Sequence, residues 1–68
     1  MKNNQFKAFE EAITKADKTS TIWWDMFYFM DLTEKQNDRT YDILVAKGFE
    51  VKDGAVTLPS GVSLKRSM

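Results

Sequence analysis

Sixty-eight residues, ten of them basic and ten acidic, give this chain a formal net charge of zero. It has no cysteine and no histidine, which excludes disulfide bonds and the usual zinc ligands as sources of stability. A domain of this length buries only about 60% of the surface of its unfolded chain, so aromatic packing, self-association or a partner must help to stabilise it. We treat residues 1–68 as one domain and expect no metal and no cofactor.

The N-terminal sequence predicts a cytoplasmic protein. Met1 is followed by polar residues at positions 2–5, without the continuous apolar core of a secretion signal. The longest apolar stretch, residues 22–32, contains two aspartates and is well short of the ~20 apolar residues that span a bilayer. We therefore expect no membrane association.

The first predicted element is an amphipathic helix over residues 4–16. Asn3 or Asn4 is expected to cap its start, and Lys15 and Lys18 complement the helix dipole near its end. Apolar side chains recur on one side at helical spacing: Phe6, Phe9, Ala12, Ile13 and Ala16.

A polar connector at residues 17–21 leads to a second predicted helix over residues 22–31. A helical wheel separates its side chains better than a strand pattern does. The packing arc contains Ile22, Trp23, Met26, Phe27, Phe29 and Met30. The outward arc contains Trp24, Asp25, Tyr28 and Asp31.

The third predicted helix covers residues 34–47. Thr33 and Gln36 have the spacing of a capping box, and Gly48 is suited to end the helix. The spacing places Ile43 on the side opposite the apolar one. That apolar side is predicted to consist of Thr40, Tyr41, Leu44 and Val45.

The C-terminal third predicts strands over residues 49–52, 55–58 and 62–64. Asp53-Gly54 is typical of a two-residue type I′ turn. This turn would pair Val51 with Val56 and Phe49 with Leu58. After Pro59-Ser60-Gly61 the chain reverses again, which would place Leu58 opposite Val62 and Val56 opposite Leu64. Residues 65–68 are expected to be a frayed tail.

These elements predict an α+β fold: three short helices followed by a two- or three-stranded antiparallel β-meander that covers one side of them.

The sequence lacks the residues that catalysis most often uses. Without histidine or cysteine, the commonest general base and the strongest nucleophile are missing. Glu34, Asp38 and Asp42 align at i, i+4 and i+8, but Lys35 and Arg39 lie between them, which favours a solvated, internally paired face over a metal or substrate site. We expect a protein that is not an enzyme.

The aromatic segment indicates a protein-binding surface. Trp24 and Tyr28 lie four residues apart on the outward arc, flanked by Asp25 and Asp31. Tryptophan and tyrosine are enriched in interface hot spots. The acidic residues Glu34 and Asp38 would extend this surface toward a basic partner, or a second copy of the chain would cover it. The alternative is that the whole segment is core.

Nucleic-acid binding is the competing hypothesis. Helix, helix, capped helix and hairpin is the element order of a winged-helix domain. The phosphate contacts would come from Lys35, Arg39, Lys47 and Lys52. The third helix carries as many acidic as basic residues, however, whereas a groove-reading helix needs positive charge.

In general make-up, a short chain without catalytic residues resembles the small proteins that phages and mobile elements use to inhibit or redirect host enzymes. No motif carries this resemblance. The function expected from the sequence is a non-enzymatic protein-binding domain, an inhibitor or modulator of a host protein.

Overall fold

The computed structural model describes residues 1–25 and 31–67. Within them it has three helices followed by three strands, and the strands form one antiparallel sheet in the order β1-β2-β3. This confirms the predicted α+β class and the predicted order of helices before strands. The elements are α1 (Asn3–Lys15), α2 (Ile22–Asp25), α3 (Glu34–Ala46), β1 (Val51–Lys52), β2 (Ala55–Thr57) and β3 (Ser63–Lys65).

Helix α1 packs through the predicted side, but it starts earlier than expected. Phe9 and Ile13 are buried, and Phe6 is partly buried against them. Lys2 occupies the N-cap position, and its carbonyl accepts the Phe6 N–H at 2.8 Å. The predicted asparagine cap is therefore wrong, because the first helical hydrogen bond already forms one residue before Asn3.

Helix α2 follows a connector that Asp17 organises. The Asp17 carboxylate accepts hydrogen bonds from the Thr19 amide at 2.9 Å and from the Thr19 hydroxyl at 2.6 Å. These hydrogen bonds lower the pKa of Asp17. The described helix covers Ile22–Asp25, and Asp31, which was predicted to end it, is not helical. The remainder of the predicted helix, residues 26–30, lies outside the described residues.

Helix α3 begins with the predicted capping box. The Thr33 side chain accepts the Gln36 amide at 3.2 Å, and the Gln36 side chain accepts the Thr33 amide at 3.0 Å. The predicted apolar side is partly wrong, because Ile43 is buried and Val45 is 41% exposed. The inward side consists of Gln36, Thr40, Ile43 and Leu44.

The reason lies in the position of α3, which packs against α1 on one side and against β2 and β3 on another. Residues at i, i+4, i+7 and i+8 from Gln36 meet these two neighbours. The predicted apolar side included Thr40 and Leu44 correctly, but it omitted Gln36 and placed Ile43 on the opposite side.

The β1–β2 hairpin has the predicted turn and the predicted Val51–Val56 pair. Its strands are shorter than predicted, because β1 starts at Val51 and β2 ends at Thr57, so the predicted Phe49–Leu58 pair is not part of the ladder. Asp53 and Gly54 have φ values of 54° and 75°, as a type I′ turn requires. Val51 pairs with Val56. In the second hairpin, β3 starts one residue later than predicted, at Ser63, and the predicted Val56–Leu64 pair is present.

The hydrophobic core lies between the helices and the sheet. It contains Phe9, Ile13, Trp23, Ile43, Leu44, Phe49, Val56 and Leu58. Val51 is 43% exposed although its partner Val56 is fully buried, because α3 covers β2 and β3 and leaves the edge strand less protected.

The end of β3 at Lys65 and the two residues after it are held against α3, so the predicted frayed tail is wrong for positions 65–67. The Asn37 side chain donates to the Lys65 carbonyl at 2.7 Å. Arg66 pairs with Asp42. Both the amide and the hydroxyl of Ser67 donate to the Asp38 carboxylate, at 2.9 and 2.8 Å.

None of the helices in residues 1–25 and 31–67 has the length and apolar character needed to cross a membrane.

Candidate functional site

Two adjacent tryptophans have opposite environments. Trp23 is fully buried, and its ring meets Phe49 edge-on at a centroid distance of 5.0 Å. Its indole N–H donates to the Asp17 carbonyl. Trp24 is 54% exposed. Because consecutive helical residues are separated by about 100° around the axis, fixing Trp23 in the core turns Trp24 away from it.

The backbone that carries Trp24 is held at its start. The Trp24 amide donates to the Thr21 carbonyl at 2.9 Å, and the Ile22 amide donates to the Ser20 hydroxyl at 3.4 Å. Ile22 also packs against the core. The short helix that carries the exposed indole is therefore held at its start by hydrogen bonds to Ser20 and Thr21.

The predicted partner of Trp24, Tyr28, lies outside the described residues, so the aromatic pair stays a prediction. Asp25 is the last residue of α2 and follows Trp24 directly.

The predicted acidic residues fall into two groups. Asp31 and Glu34 are exposed near the start of α3. Asp38 instead binds Ser67, and these hydrogen bonds lower its pKa. Asp42 pairs with Arg66. The internally paired face predicted for α3 thus exists at two of its carboxylates, although the partners come from the C-terminal tail and not from Lys35 or Arg39.

Sequence reasoning identified Gln36 as a capping residue of α3 but missed its second contact, which is with the N-terminus. Its side chain is buried, and besides its capping bond it donates to the Met1 carbonyl at 2.6 Å. The N-terminal ammonium of Met1 in turn donates to the Asp31 carbonyl. The capping-box spacing was the only sequence signal for this side chain, and it does not reveal the contact with Met1.

The basic residues of the competing hypothesis differ in their contacts. Arg39 pairs with Glu10 of α1 at 2.8 Å. The Lys47 ammonium donates to the Thr14 carbonyl at 2.6 Å. Lys35 and Lys52 are exposed. Two of the four predicted phosphate-binding side chains therefore contact α1.

A shallow groove of about 610 Å³ lies beside the β1–β2 hairpin. Lys18 reaches across it, donates to the Gly48 carbonyl at 3.0 Å and lies 5.5 Å from the centre of the Phe49 ring. Glu50 supplies the one carboxylate among the lining residues, so the groove has no carboxylate pair. Its lining residues are Lys18, Phe49, Glu50, Lys52, Thr57, Leu58 and Pro59.

Across the described part of the chain, no group of three or more acidic side chains is arranged to hold a metal ion. No protein-family model, curated protein or solved structure matches this chain, so no relative suggests a function for it.

Proposed function

We propose that this protein is a small non-enzymatic domain that binds another protein through the surface around Trp24 and thereby inhibits or modulates it. One observation carries the proposal: a tryptophan with 54% of its surface exposed lies beside a fully buried one. If Trp24 served only the stability of the fold, its side chain would be buried in the core as that of Trp23 is.

An exposed indole provides a large contact area at small entropic cost. An aromatic side chain has only two rotatable bonds, and its burial in a partner removes up to about 150–250 Å² of surface from water. The buried neighbour Trp23 fixes the helix, so little backbone order has to be gained on binding. Tryptophan is accordingly among the residues most enriched in binding hot spots.

Charge suggests the kind of partner. Asp31 and Glu34 are exposed, and no salt bridge is found for either among residues 1–25 and 31–67. We propose that they border the Trp24 surface, where carboxylates favour a basic partner surface and accelerate association at low salt. We therefore infer a partner that offers an apolar pocket bordered by lysine or arginine.

The test compares Trp24→Ala with a matched control, Val45→Ala, which removes an apolar side chain that is 41% exposed on α3. Wild type and both variants would be used to capture proteins from cells that express the chain, and the retained protein would then be titrated by calorimetry. We expect wild type and Val45→Ala to bind equally and Trp24→Ala to bind at least about 30-fold more weakly, corresponding to a hot-spot loss of about 2 kcal/mol. Equal binding by all three proteins would disprove the proposal.

Nucleic-acid binding remains the alternative prediction, and its own experiment separates it from protein binding. A winged-helix mode requires retention on duplex DNA that weakens steeply with salt and is reduced by Lys35→Ala and Lys52→Ala. Trp24→Ala would leave that retention unchanged. The contacts of Arg39 and Lys47 with α1 weigh against this mode, because they engage two of the four cations that it needs.

A further inference from the structure

The two edges of the sheet differ in how they are covered. At the β3 edge, the Lys65 carbonyl accepts a hydrogen bond from Asn37, and the next two residues bind carboxylates of α3. At the β1 edge, no hydrogen bond from elsewhere in residues 1–25 and 31–67 reaches Val51. An open strand edge is a template for pairing with another strand.

The hairpin register determines which backbone groups this edge presents. Lys52 and Ala55 flank a two-residue turn, so they form the hydrogen-bonded pair that closes it. Hydrogen-bonded and non-hydrogen-bonded pairs alternate along an antiparallel ladder, which makes Val51 and Val56 a non-hydrogen-bonded pair. The N–H and C=O of Val51 therefore point away from β2. On the other side of β2, the Leu58 amide donates to the Val62 carbonyl at 2.8 Å. Val56, two residues earlier, therefore also directs its backbone groups away from β1, in agreement with this assignment.

We propose that a second copy of this chain pairs with β1, antiparallel and centred on Val51, so that two three-stranded sheets join across a two-fold axis. In this register, Val51 and the partner's Val51 exchange two backbone hydrogen bonds. Glu50 lies opposite Lys52 of the partner subunit, and Lys52 lies opposite Glu50 of the partner subunit. The segment is thus self-complementary in charge, as a two-fold interface requires.

Three observations favour a second copy over an unrelated strand. Glu50 and Lys52 are both exposed, so both are available for the cross-strand pairs. The Val51 side chain is 43% exposed, and antiparallel pairing would place it beside its own symmetry mate. The positive φ of Asp53 ends the strand there, which limits the pairing to three residues on each side and stops it from sliding.

The dimer does not depend on the proposed binding function, because its contacts lie on β1 and not on α2. Three residues from each strand form a small interface, so we expect reversible association. The fraction of dimer should rise with protein concentration, and the association constant should fall as salt is added.

The test measures the association constant by sedimentation equilibrium for wild type, for Glu50→Lys, for Lys52→Glu and for the double reversal. Each single reversal replaces two attractive cross-strand pairs with two repulsive ones, and we expect association to fall about tenfold or more. The double reversal restores both pairs and should recover association near that of wild type. Lys65→Glu is the matched control, since it makes the same charge change on β3 and should leave association unchanged.

Circular dichroism of every variant checks that the fold is retained, and the three mutated side chains are exposed in the isolated chain. Wild-type protein that stays monomeric up to about 1 mM at low salt would overturn the proposal, since a measurement at this concentration would reveal even a weak dimer with an association free energy of about 4 kcal/mol. So would a double reversal that remains as weak as the single ones, a dimer lost on Trp24→Ala but not on charge reversal, or growth into larger assemblies.

Discussion

Replacing Trp23 by alanine should lower the free energy of unfolding far more than replacing Trp24 by alanine. Trp23 is fully buried, contacts Phe49 edge-on and donates its indole N–H to the Asp17 carbonyl. Truncation of a buried tryptophan to alanine costs about 3–5 kcal/mol of unfolding free energy. At about 0.05–0.15 kcal/mol per residue, a chain of 68 residues has roughly 3–10 kcal/mol in total. Trp23→Ala should therefore remove much of the stability of the fold.

A milder change keeps the experiment measurable. Trp23→Phe retains a ring against Phe49 but loses the indole hydrogen bond, whose net contribution is about 0.5–1.5 kcal/mol, together with part of the buried area. Trp24→Ala should lower the unfolding free energy much less than Trp23→Ala, because more than half of the Trp24 side chain is already exposed to water.

Urea denaturation followed by far-ultraviolet circular dichroism measures all three variants without relying on tryptophan fluorescence. We expect the unfolding free energy to be highest for Trp24→Ala, lower for Trp23→Phe and lowest for Trp23→Ala. If Trp24→Ala proved as destabilising as Trp23→Ala, Trp24 would be a core residue and the reasoning that assigns it to a binding surface would fail.

Two further predictions concern polar side chains. Gln36→Met keeps the side-chain volume but leaves two backbone groups without their partners, so the urea midpoint should fall by the equivalent of about 1–3 kcal/mol, while Lys35→Met at the exposed neighbouring position should have little effect. The pKa of Asp38 is lowered from its usual 3.8 because the amide and hydroxyl of Ser67 donate to it, so the ionised form favours the folded state. This stabilisation is complete above the usual pKa and is lost as the pH falls through the lowered one. Melting temperatures measured from neutral pH to about pH 2 should therefore fall less on acidification for Asp38→Asn than for wild type, and parallel curves would contradict the assignment.

The sequence correctly predicted the turn and the helix cap that depend only on residues close together in the chain. The turn at Asp53 and Gly54 needs positive φ at both positions, and aspartate followed by glycine adopts it readily. The capping box of α3 likewise involves only Thr33 and Gln36. Each of these features depends on chemistry within four residues, which is why the sequence alone was sufficient for them.

The candidate surface could be predicted only in part. The helical wheel separated Trp23 from Trp24, and the structure buries the first and exposes the second. It did not predict that Asp38 would be engaged by Ser67, because these residues are 29 positions apart and no local pattern links them. Nor did it predict the bond between Gln36 and Met1, which joins residues 35 positions apart.

Hydrophobic spacing and turn chemistry act over a few residues, so they were sufficient to predict α1, α3, the Val51–Val56 pair and the order of the elements. The inward side of α3 could not be predicted in this way, because that side is selected by the positions of α1 and the sheet and not by the helix itself. Ile43 is buried and Val45 is exposed for this reason. The same long-range packing covers the β3 edge and leaves Val51 open at the β1 edge.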